Sequence, residues 1–392
     1  MILNDVCKFI VDCPHSTSPD EGMGYPLIRT PNIGKGRLIL DNVHRVSEKV
    51  YHSRTVRAVP QDDDLIFARE APAGNIAIIK NGEKVCLGQR TVLLRPDKTK
   101  VYPDYLVYYL LAPQQQHNLL KFATGATVPH INLPDIRNLQ IELPPYTIQI
   151  KKARTLSAYD DLIENNNRQI KLLEEAAQRL YKEWFIDLRF PGHESTKIED
   201  GVPEGWKKSR VCNVISIIRR GISPKYSENG TSFVINQKCI RSTIMDISSA
   251  RRQEKKFIKE MNLCDEDIVI CSTGAGTLGR VGKVFGEYKN TTFDSHITLI
   301  RASQDIGKEY LFHTIKSKQK YLQDSGKGST NQLELKKSSI EDIAIFIPKK
   351  YIYDKFETIA YNIHKKITSL SLTINYLKKQ KMILLSNIFT KI

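Results

Sequence analysis

The sequence predicts an α+β protein in which two similar β-rich domains are separated by two long helices that form an antiparallel coiled coil. The prediction rests on an internal repeat, because two helical segments share one register and matching residues such as Leu180 and Leu384 lie 204 positions apart. In each segment apolar residues recur at alternating steps of four and three, which keeps side chains on one seam of a helix wound against a partner. The segments before the helices also correspond, so the repeat is pseudo-two-fold.

The order of strand-like, helical and connecting sequence predicts five segments. They are a first domain at 1–146, a first helical spacer at 147–188, a connector at 189–202, a second domain at 203–349 and a second helical spacer at 350–392. The connector is rich in glycine, proline and charge, as linkers are. It is long enough for the chain to return, so the two spacers are expected to pair antiparallel.

Short β-rich runs that end at glycine, proline or asparagine define the first domain. They are YPLIRTPNI, DLIFARE, NIAIIK, QRTVLLRP and LQIELPP. A helical pattern covers 102–120. The second domain repeats this order at offsets of 203 to 206 residues, as FVINQKCI, DIVICST, GRVGKV, SHITLIRA, EYLFHTI and IEDIAIFIP.

The predicted seam of the helices consists mainly of apolar side chains that recur at heptad spacing. In the first spacer they are Leu156, Tyr159, Ile163, Asn166, Ile170, Leu173, Leu180 and Trp184, and in the second Ile363, Ile367, Leu370, Ile374, Leu377, Leu384 and Ile388. Asn166 is either a tolerated polar residue or a residue that sets the register of the pair.

Composition favours a soluble binder of nucleic acid. The chain of 392 residues exceeds the usual size of one core, and its net charge of +16 suggests a polyanionic partner. Between residues 207 and 260 there are thirteen Lys and Arg against four Asp and Glu. No apolar run is long enough to cross a bilayer, no secretory leader is apparent, and the seven cysteines form no CxxC pair, so we expect a cytoplasmic protein with reduced thiols.

Motifs of catalysis are weak. GAGTLG at 274–279 matches a dinucleotide-binding pattern, but alternating strand-like sequence follows it, so a β-turn is favoured over a nucleotide loop. We find no HExxH, P-loop or GxSxG motif and assign no catalytic residue, no metal ligand and no cofactor to this chain. A DNA-binding module is therefore favoured over a nucleotide-dependent oxidoreductase and over a coiled-coil scaffold without DNA affinity.

Polar loops at corresponding places in the two domains carry residue types that read base edges or neutralise phosphates. In the first domain the candidate DNA contacts are Arg29, Asn32, Lys35, Arg69, Arg90, Thr127, His130 and Asn132. In the second they are Arg219, Arg220, Asn236, Lys238, Arg241, Ser272, His296, Thr330, Asn331 and Gln332. Similar frames with different polar loops suit a protein that reads two short sequences, although surface loops also diverge without function.

These features together resemble the specificity subunit of type I restriction-modification systems. The resemblance covers nearly the whole chain. It rests on the duplicated frame, the D(L/I)(V/I) strands before a glycine turn, the loop before (L/I)xIxxPP, the helix ending LYKEWFIDLRFPG, and DGVPEGW before the second domain. The second helix departs from the pattern, because it ends NIFTKI and has Ile388 where the first has Trp184.

The resemblance implies a non-catalytic subunit in which each domain, a target recognition domain, contacts one half of a bipartite double-stranded DNA site. It also implies that the coiled coil sets the spacing of the half-sites and docks two adenine-N6 methyltransferase subunits. S-adenosylmethionine, ATP and Mg are then expected in the partner methyltransferase and restriction/translocase subunits. The alternative within this class is the specificity subunit of a type II (IIB/IIG-like) restriction-modification enzyme.

Overall fold

The fold is that of a computed structural model, which describes residues 1–123, 129–274, 276–326 and 333–389. Contacts between residues divide the chain into two units. The first unit comprises Met1–Asn165 together with Ile374–Ile392, and the second comprises Asn166–Thr373. The division falls inside both long helices, so each unit holds one end of each helix.

The first unit places helices against a sheet of mainly antiparallel strands. Its strands are β1 (Cys7–Asp12), β2 (Tyr25–Ile28), β3 (Gly36–Arg37), β4 (Arg45–Val46), β5 (Leu65–Ala68), β6 (Ile76–Ile78), β7 (Cys86–Leu87) and β8 (Thr91–Pro96). Its helices are α1 (Glu48–Arg54), α2 (Pro103–Leu111), α3 (Pro113–Lys121), α4 (Leu133–Arg137) and the beginning of α5 (Tyr146–Tyr181). The main sheet has the order β1-β8-β5-β6-β3, and a small sheet has the order β4-β2-β7.

Burial explains why the central strands of the first unit read as continuous apolar runs. All four residues of β5 are buried, because this strand lies between β8 and β6 in the middle of the sheet. One face of the sheet packs Phe67 and Leu94 into a core shared with Tyr105 of α2. The predicted strands DLIFARE, NIAIIK and QRTVLLRP are confirmed as β5, β6 and β8, whereas LQIELPP forms only a single bridge between Gln140 and Ile2.

The helical pattern predicted over 102–120 is confirmed, but the helix is interrupted once. The segment forms two helices, α2 and α3, which meet at Ala112. Ala112 has an extended backbone with ψ of 142°. Pro113 follows it, and a residue before proline is disfavoured in the helical conformation.

The second unit repeats this arrangement after the connector. Its strands are β9 (Ile198–Glu199), β10 (Val202–Pro203), β11 (Lys207–Arg210), β12 (Ile215–Arg220), β13 (Ser232–Ile235), β14 (Arg251–Gln253), β15 (Ile268–Cys271), β16 (Val281–Lys283), β17 (Thr291–Phe293), β18 (Ile297–Ala302) and β19 (Ala344–Ile347). Its helices are α6 (Lys308–Ser317), α7 (Gln319–Asp324), α8 (Lys337–Glu341) and the beginning of α9 (Lys350–Phe389). The main sheet has the order β12-β18-β15-β16, and smaller sheets have the orders β14-β13-β17, β11-β19 and β10-β9.

The repeat extends to individual atoms. In the first unit Arg95 donates from Nε and Nη2 to the two carboxylate oxygens of Asp64 at 2.8 and 2.7 Å. In the second unit Arg301 donates to Asp267 in the same way, at 2.7 Å for both bonds. Both aspartates are buried and lie just before the central strand. The two units therefore share a frame, as the sequence offsets predicted.

The long helices bury their predicted seam. Every seam residue is buried or half-buried, and Asn166 is only 9% exposed. In the first unit Lys152 near the start of α5 donates to the carbonyl of Ile388 near the end of α9 at 3.0 Å. In the second unit, Trp184 and Phe356 have ring centroids 6.1 Å apart. Trp184 lies in a π-helical turn, Lys182–Ile186, so the regular α-helix ends before the last predicted seam position.

The GAGTLG segment connects two antiparallel strands. Gly274 and Gly279 have positive φ angles of 97° and 74°, and the amide of Leu278 donates to the carbonyl of Gly274 at 3.0 Å. The segment leads from β15 into β16, so the described part of it has strand rather than helix after it. A pyrophosphate site of the dinucleotide-binding type needs the N-terminus of a helix there.

Within the described residues, none of the helices combines the length and the apolar character needed to cross a membrane.

Candidate DNA interface

In the first unit, candidate residues meet around a cavity at one end of the main sheet. The cavity of about 300 Å³ lies where β5 ends and β8 begins, and it is lined by His15, Arg69, Glu70, Gln89, Arg90 and His130. The backbone brings these segments together. The amide of Arg69 donates to the carbonyl of Arg90 at 2.9 Å, and the amide of Ile131 donates to the carbonyl of Arg69 at 3.0 Å.

The two arginines at this cavity have different surroundings. Arg69 is held inside the fold, since Nη1 lies 3.0 Å from Asp12 Oδ2 and Nε donates to the carbonyl of Ile131 at 2.9 Å. Arg90 Nε lies 2.7 Å from Glu70 Oε1, and 55% of the Arg90 side chain is exposed. Arg90 is therefore the more available group for a partner. Asn132 lines an adjoining cavity with Arg69 and Asp12.

The second unit forms the same backbone frame at the corresponding place. The amide of Ser272 donates to the carbonyl of His296, and the amide of Leu335 donates to the carbonyl of Ser272, both at 2.8 Å. A bridge between Thr273 and Glu334 repeats the bridge between Glu70 and His130. Arg90 and His296 are thus equivalent positions, and so are Glu70 and Thr273.

The side chains on this frame differ between the units. His296 Nδ1 lies 2.6 Å from Thr273 Oγ1, and the histidine is exposed. Arg220 donates to the carbonyl of Ser295 at 3.1 Å and to Glu334 Oε1 at 2.5 Å. The first unit has an aspartate, Asp12, at the position of Arg220, because each pairs with the corresponding residue of the neighbouring strand. The two surfaces therefore differ in charge on a common scaffold.

The basic segment of the second unit presents exposed cations. The guanidinium of Arg251 stacks 3.6 Å from the ring centroid of Tyr226, and Arg252 lines the same cavity. Of the predicted contacts, Arg219, Lys238 and Arg241 are also exposed. Exposed arginine and lysine side chains are suited to neutralising phosphates.

Three predicted DNA contacts have side chains that form hydrogen bonds inside the fold. Asn32 is 6% exposed, accepts from the amide of Arg29 at 3.1 Å and donates to the carbonyl of Ile39 at 3.1 Å. Ser272 is fully buried, with Oγ 2.6 Å from Thr298 Oγ1. Asn236 is half-buried, accepts from the amide of Lys238 at 2.8 Å and donates to the carbonyl of Ser249 at 3.3 Å.

The other predicted contacts lie away from these cavities or outside the described residues. Arg29 is half-buried, and Lys35 is exposed while its carbonyl accepts a hydrogen bond from Lys381. Thr127 in the first domain lies outside the described residues. So do Thr330, Asn331 and Gln332 in the second domain.

Sequence reasoning missed the acidic and hydroxyl side chains that orient the candidates. Glu70, Thr273 and Glu334 each contact a predicted residue. The signal was present in the repeat, because Glu70 and Thr273 are matched in the alignment of DLIFARE with DIVICST. The predicted DNA contacts were mostly basic and amide residues, so these acidic and hydroxyl side chains were not among them.

One group of described residues has donor atoms of the kind that bind metals. Glu309, His313 and His364 are buried in the second unit, with ligand atoms within 4.8 Å of one another. The ammonium of Lys283 lies 2.5 Å from Glu309 Oε1, and His364 Nδ1 lies 2.8 Å from Oε2. Lys283 places a cation beside the Glu309 carboxylate. The group therefore links α6 to α9 as a buried charge network.

This network predicts an unusual dependence of stability on pH. Burial, followed by the charge of His364, lowers the pKa of His313 from 6.5 to about 3. Below pH 6.5 His313 binds a proton in the unfolded chain but stays neutral in the folded chain, so the free energy of unfolding falls as the pH falls. Relative to a His313→Phe variant, the wild type should lose about 1.4 kcal/mol per pH unit between pH 6.5 and 5. Urea unfolding of both proteins across this range measures the difference.

Glu357 supplies a control of opposite sign. Burial raises its pKa from 4.5 to about 7, so the folded chain retains a proton that the unfolded chain releases. The wild type should therefore lose stability relative to a Glu357→Gln variant as the pH rises from 4.5 to 7. Equal slopes for the two variants would contradict the assignment of these opposite shifts.

Comparison with known proteins agrees with the duplicated frame. A family model described as the type I restriction modification DNA specificity domain matches residues 2–175 and 203–380. The chain therefore belongs to this family of DNA specificity subunits. Its place in a type I restriction-modification system is that of the DNA-recognition subunit.

Individual relatives are similar to this chain in sequence, and a solved structure is similar to it in fold. The chain is 27% identical over 343 residues to the type I restriction enzyme MjaIX specificity subunit of Methanocaldococcus jannaschii, covering 85% of this chain and 78% of that protein. It is 22% identical over 386 residues to the HindI specificity subunit of Haemophilus influenzae, covering 79% of this chain and 82% of that protein. The crystal structure of a type I S subunit from M. genitalium has the same fold, with a TM-score of 0.59 at 15% identity over 99% of this chain and 95% of that one.

Proposed function

We propose that each unit reads one half of a bipartite target in double-stranded DNA. The observation that carries the proposal is the shared backbone frame of the two interfaces, on which Glu70 and Arg90 are replaced by Thr273 and His296. A common frame presents side chains at the same place, and different side chains favour different base edges. Two such surfaces in one chain suit recognition of two different half-sites.

Electrostatics supports binding to duplex DNA. The chain has a net charge of +16, and cations such as Arg251 and Lys238 are exposed in the second unit. Phosphate contacts from such residues supply affinity without sequence preference, and bases are read by the fewer side chains that are held in position.

The helices are proposed to form the antiparallel coiled coil that separates the two half-sites. In the first unit the ion pair between Asp160 in α5 and Lys381 in α9, at 2.6 Å, supports pairing of the beginning of α5 with the end of α9. In the second unit the end of α5 contacts the beginning of α9 through Trp184 and Phe356. Contacts between opposite ends of the two helices support an antiparallel pair and a spacer of constant length.

The exposed surface of the helices is proposed to dock two adenine-N6 methyltransferase subunits. Exposed apolar side chains on α9 include Leu372 in the second unit and Tyr376, Met382 and Ile383 in the first. Exposed apolar groups of this size favour protein contacts over solvent. Catalysis, with S-adenosylmethionine, ATP and Mg, is proposed to reside in the methyltransferase and restriction/translocase subunits, and the complex to act in the cytoplasm.

Mapping of methylated DNA tests the proposal. A host that expresses this chain with its methyltransferase partner should carry methyl groups within one two-part motif with an unread spacer. A His296→Ala variant should relax a single position in one half, because each interface acts locally, and should leave the other half unchanged. His193→Ala in the connector serves as the matched control. A contiguous motif, or a change in both halves, would refute the assignment.

A further inference from the structure

Arg90 and His296 occupy equivalent positions in the two units, and each is contacted by one neighbouring side chain. In both units the residue before the holding side chain donates its amide to the carbonyl of the held residue, Arg69 to Arg90 and Ser272 to His296. The holding side chain is Glu70 in the first unit and Thr273 in the second. Each interface therefore contains one pair, and the pairs are equivalent in backbone but different in chemistry.

The pair in the first unit leaves a fork of donors free. Glu70 lies 2.7 Å from Nε, at the inner edge of the Arg90 guanidinium, and is itself only 19% exposed in its side chain. The Arg90 side chain as a whole is 55% exposed, and its two Nη atoms lie beyond Nε at the end of the guanidinium. Two parallel donors in a fixed plane match O6 and N7 of guanine in the major groove.

The backbone of Arg90 also points to function. Its φ is 68°, in the left-handed region that residues other than glycine rarely adopt. Residues held in such conformations cost free energy, and they cluster at binding sites. A long arginine, rather than a glycine, has this conformation here. Its side chain lines the cavity of the first unit together with Glu70 and His130.

A phosphate contact explains this arrangement less well. Glu70 and Asp12 place two carboxylates beside the arginines of this cavity, and both would repel a phosphate. A phosphate contact also gains little from a fixed guanidinium plane, whereas base recognition depends on it. The pair in the second unit has a single free ring nitrogen on His296, since Nδ1 is taken by Thr273. It can make one hydrogen bond to a base edge and not a fork.

We propose that Glu70–Arg90 and Thr273–His296 are equivalent specificity pairs, in which Arg90 contacts a guanine of the first half-site and Glu70 is its positioning residue. This inference rests on the proposed function, since it assumes that each unit reads its own half-site. It predicts that the two half-sites differ at the position that each pair reads, with guanine at the first and a base read by a single hydrogen bond at the second.

Methylation mapping of single variants tests the pair. Arg90→Lys should reduce discrimination at one guanine of one half-site by about 10- to 100-fold, because the fork is lost while the charge remains. Glu70→Ala should relax the same position, because it removes the carboxylate that lies 2.7 Å from Arg90 Nε, and Glu70→Gln should relax it less, because a side-chain oxygen remains beside Nε. Lys98→Ala, on the surface of the same unit, should leave both half-sites unchanged, and thermal unfolding of each variant checks its fold.

Three results would overturn the pair. Arg90→Lys or Arg90→Ala could weaken all sites equally and lower the slope of log affinity against log salt by about one, which is the signature of a phosphate contact. Glu70→Ala could leave the Arg90 position unchanged, which would remove its positioning role. If the Arg90 variants relaxed a position in the same half-site that His296→Ala alters, Arg90 would not read the separate half-site proposed for the first unit. A wild-type motif that is not bipartite would instead refute the proposed function itself, so the two failures are distinguishable.

Discussion

A Lys381→Met variant is expected to lose about 3–5 kcal/mol of stability in the first unit. The Lys381 ammonium lies 2.6 Å from Asp160 Oδ1 and donates to the carbonyl of Lys35 at 3.0 Å. The hydroxyl of Tyr108 donates to the other oxygen of Asp160 at 2.7 Å. Both ends of the ion pair are buried, so removing the lysine leaves the Asp160 carboxylate without its directly bonded cation, and the charge of Arg37 remains nearby. Chemical unfolding, with hydrogen exchange to follow α2 and the start of α5, measures the loss.

Two further variants separate the ion pair from general effects on the helix. Lys379→Met lies on the exposed side of α9 and should change stability by no more than about 0.5 kcal/mol. An Asp160→Leu/Lys381→Met double variant should recover part of the loss, because both charges leave the interior together. If Lys381→Met were no more destabilising than Lys379→Met, the buried pair would not be what holds the end of α9 in the first unit.

Asp64→Asn and Asp267→Asn should each cost about 2–4 kcal/mol, and each in its own unit only. The two carboxylates are buried and bind Arg95 and Arg301 through both oxygens. Each also accepts a backbone amide three residues earlier in the chain. The arginines are 21% and 24% exposed in their side chains, so solvent offsets part of the loss.

Hydrogen exchange identifies where each of these variants acts. Asp64→Asn should accelerate exchange in β5 and β8, and Asp267→Asn should do so in β15 and β18. Asp324→Asn breaks a surface pair with Lys320 and should cost less than about 1 kcal/mol. An effect of Asp64→Asn on the strands of the second unit would show that the two frames are not independent.

The internal repeat made most of the fold predictable from one sequence. Each copy served as a comparison for the other, so DLIFARE and DIVICST identified the central strand of both sheets. The seam of the helices was predictable for the same reason, since heptad spacing recurs 204 residues apart. The helical pattern over 102–120 did not reveal the break at Ala112, which is a local effect of Pro113 on the residue before it.

The candidate interface was predictable only in part. Arg69, Arg90 and His130 lie far apart in the sequence, and hydrogen bonds between neighbouring strands bring them to one cavity. Residue type suggested Asn32 and Ser272, but their side chains turn inward and hydrogen-bond within the fold. The type of a polar residue does not determine whether its side chain points toward solvent or into the fold.

The sequence by itself determined the class of protein, the duplicated frame and the heptad seam, because these depend on spacing, which is preserved along the chain. Only the tertiary structure decided which polar side chains face a partner and which are held by another. Glu70 and Thr273 show the reason. A hydrogen bond between side chains requires a distance and an orientation, and both are set by how strands pair rather than by the order of residues.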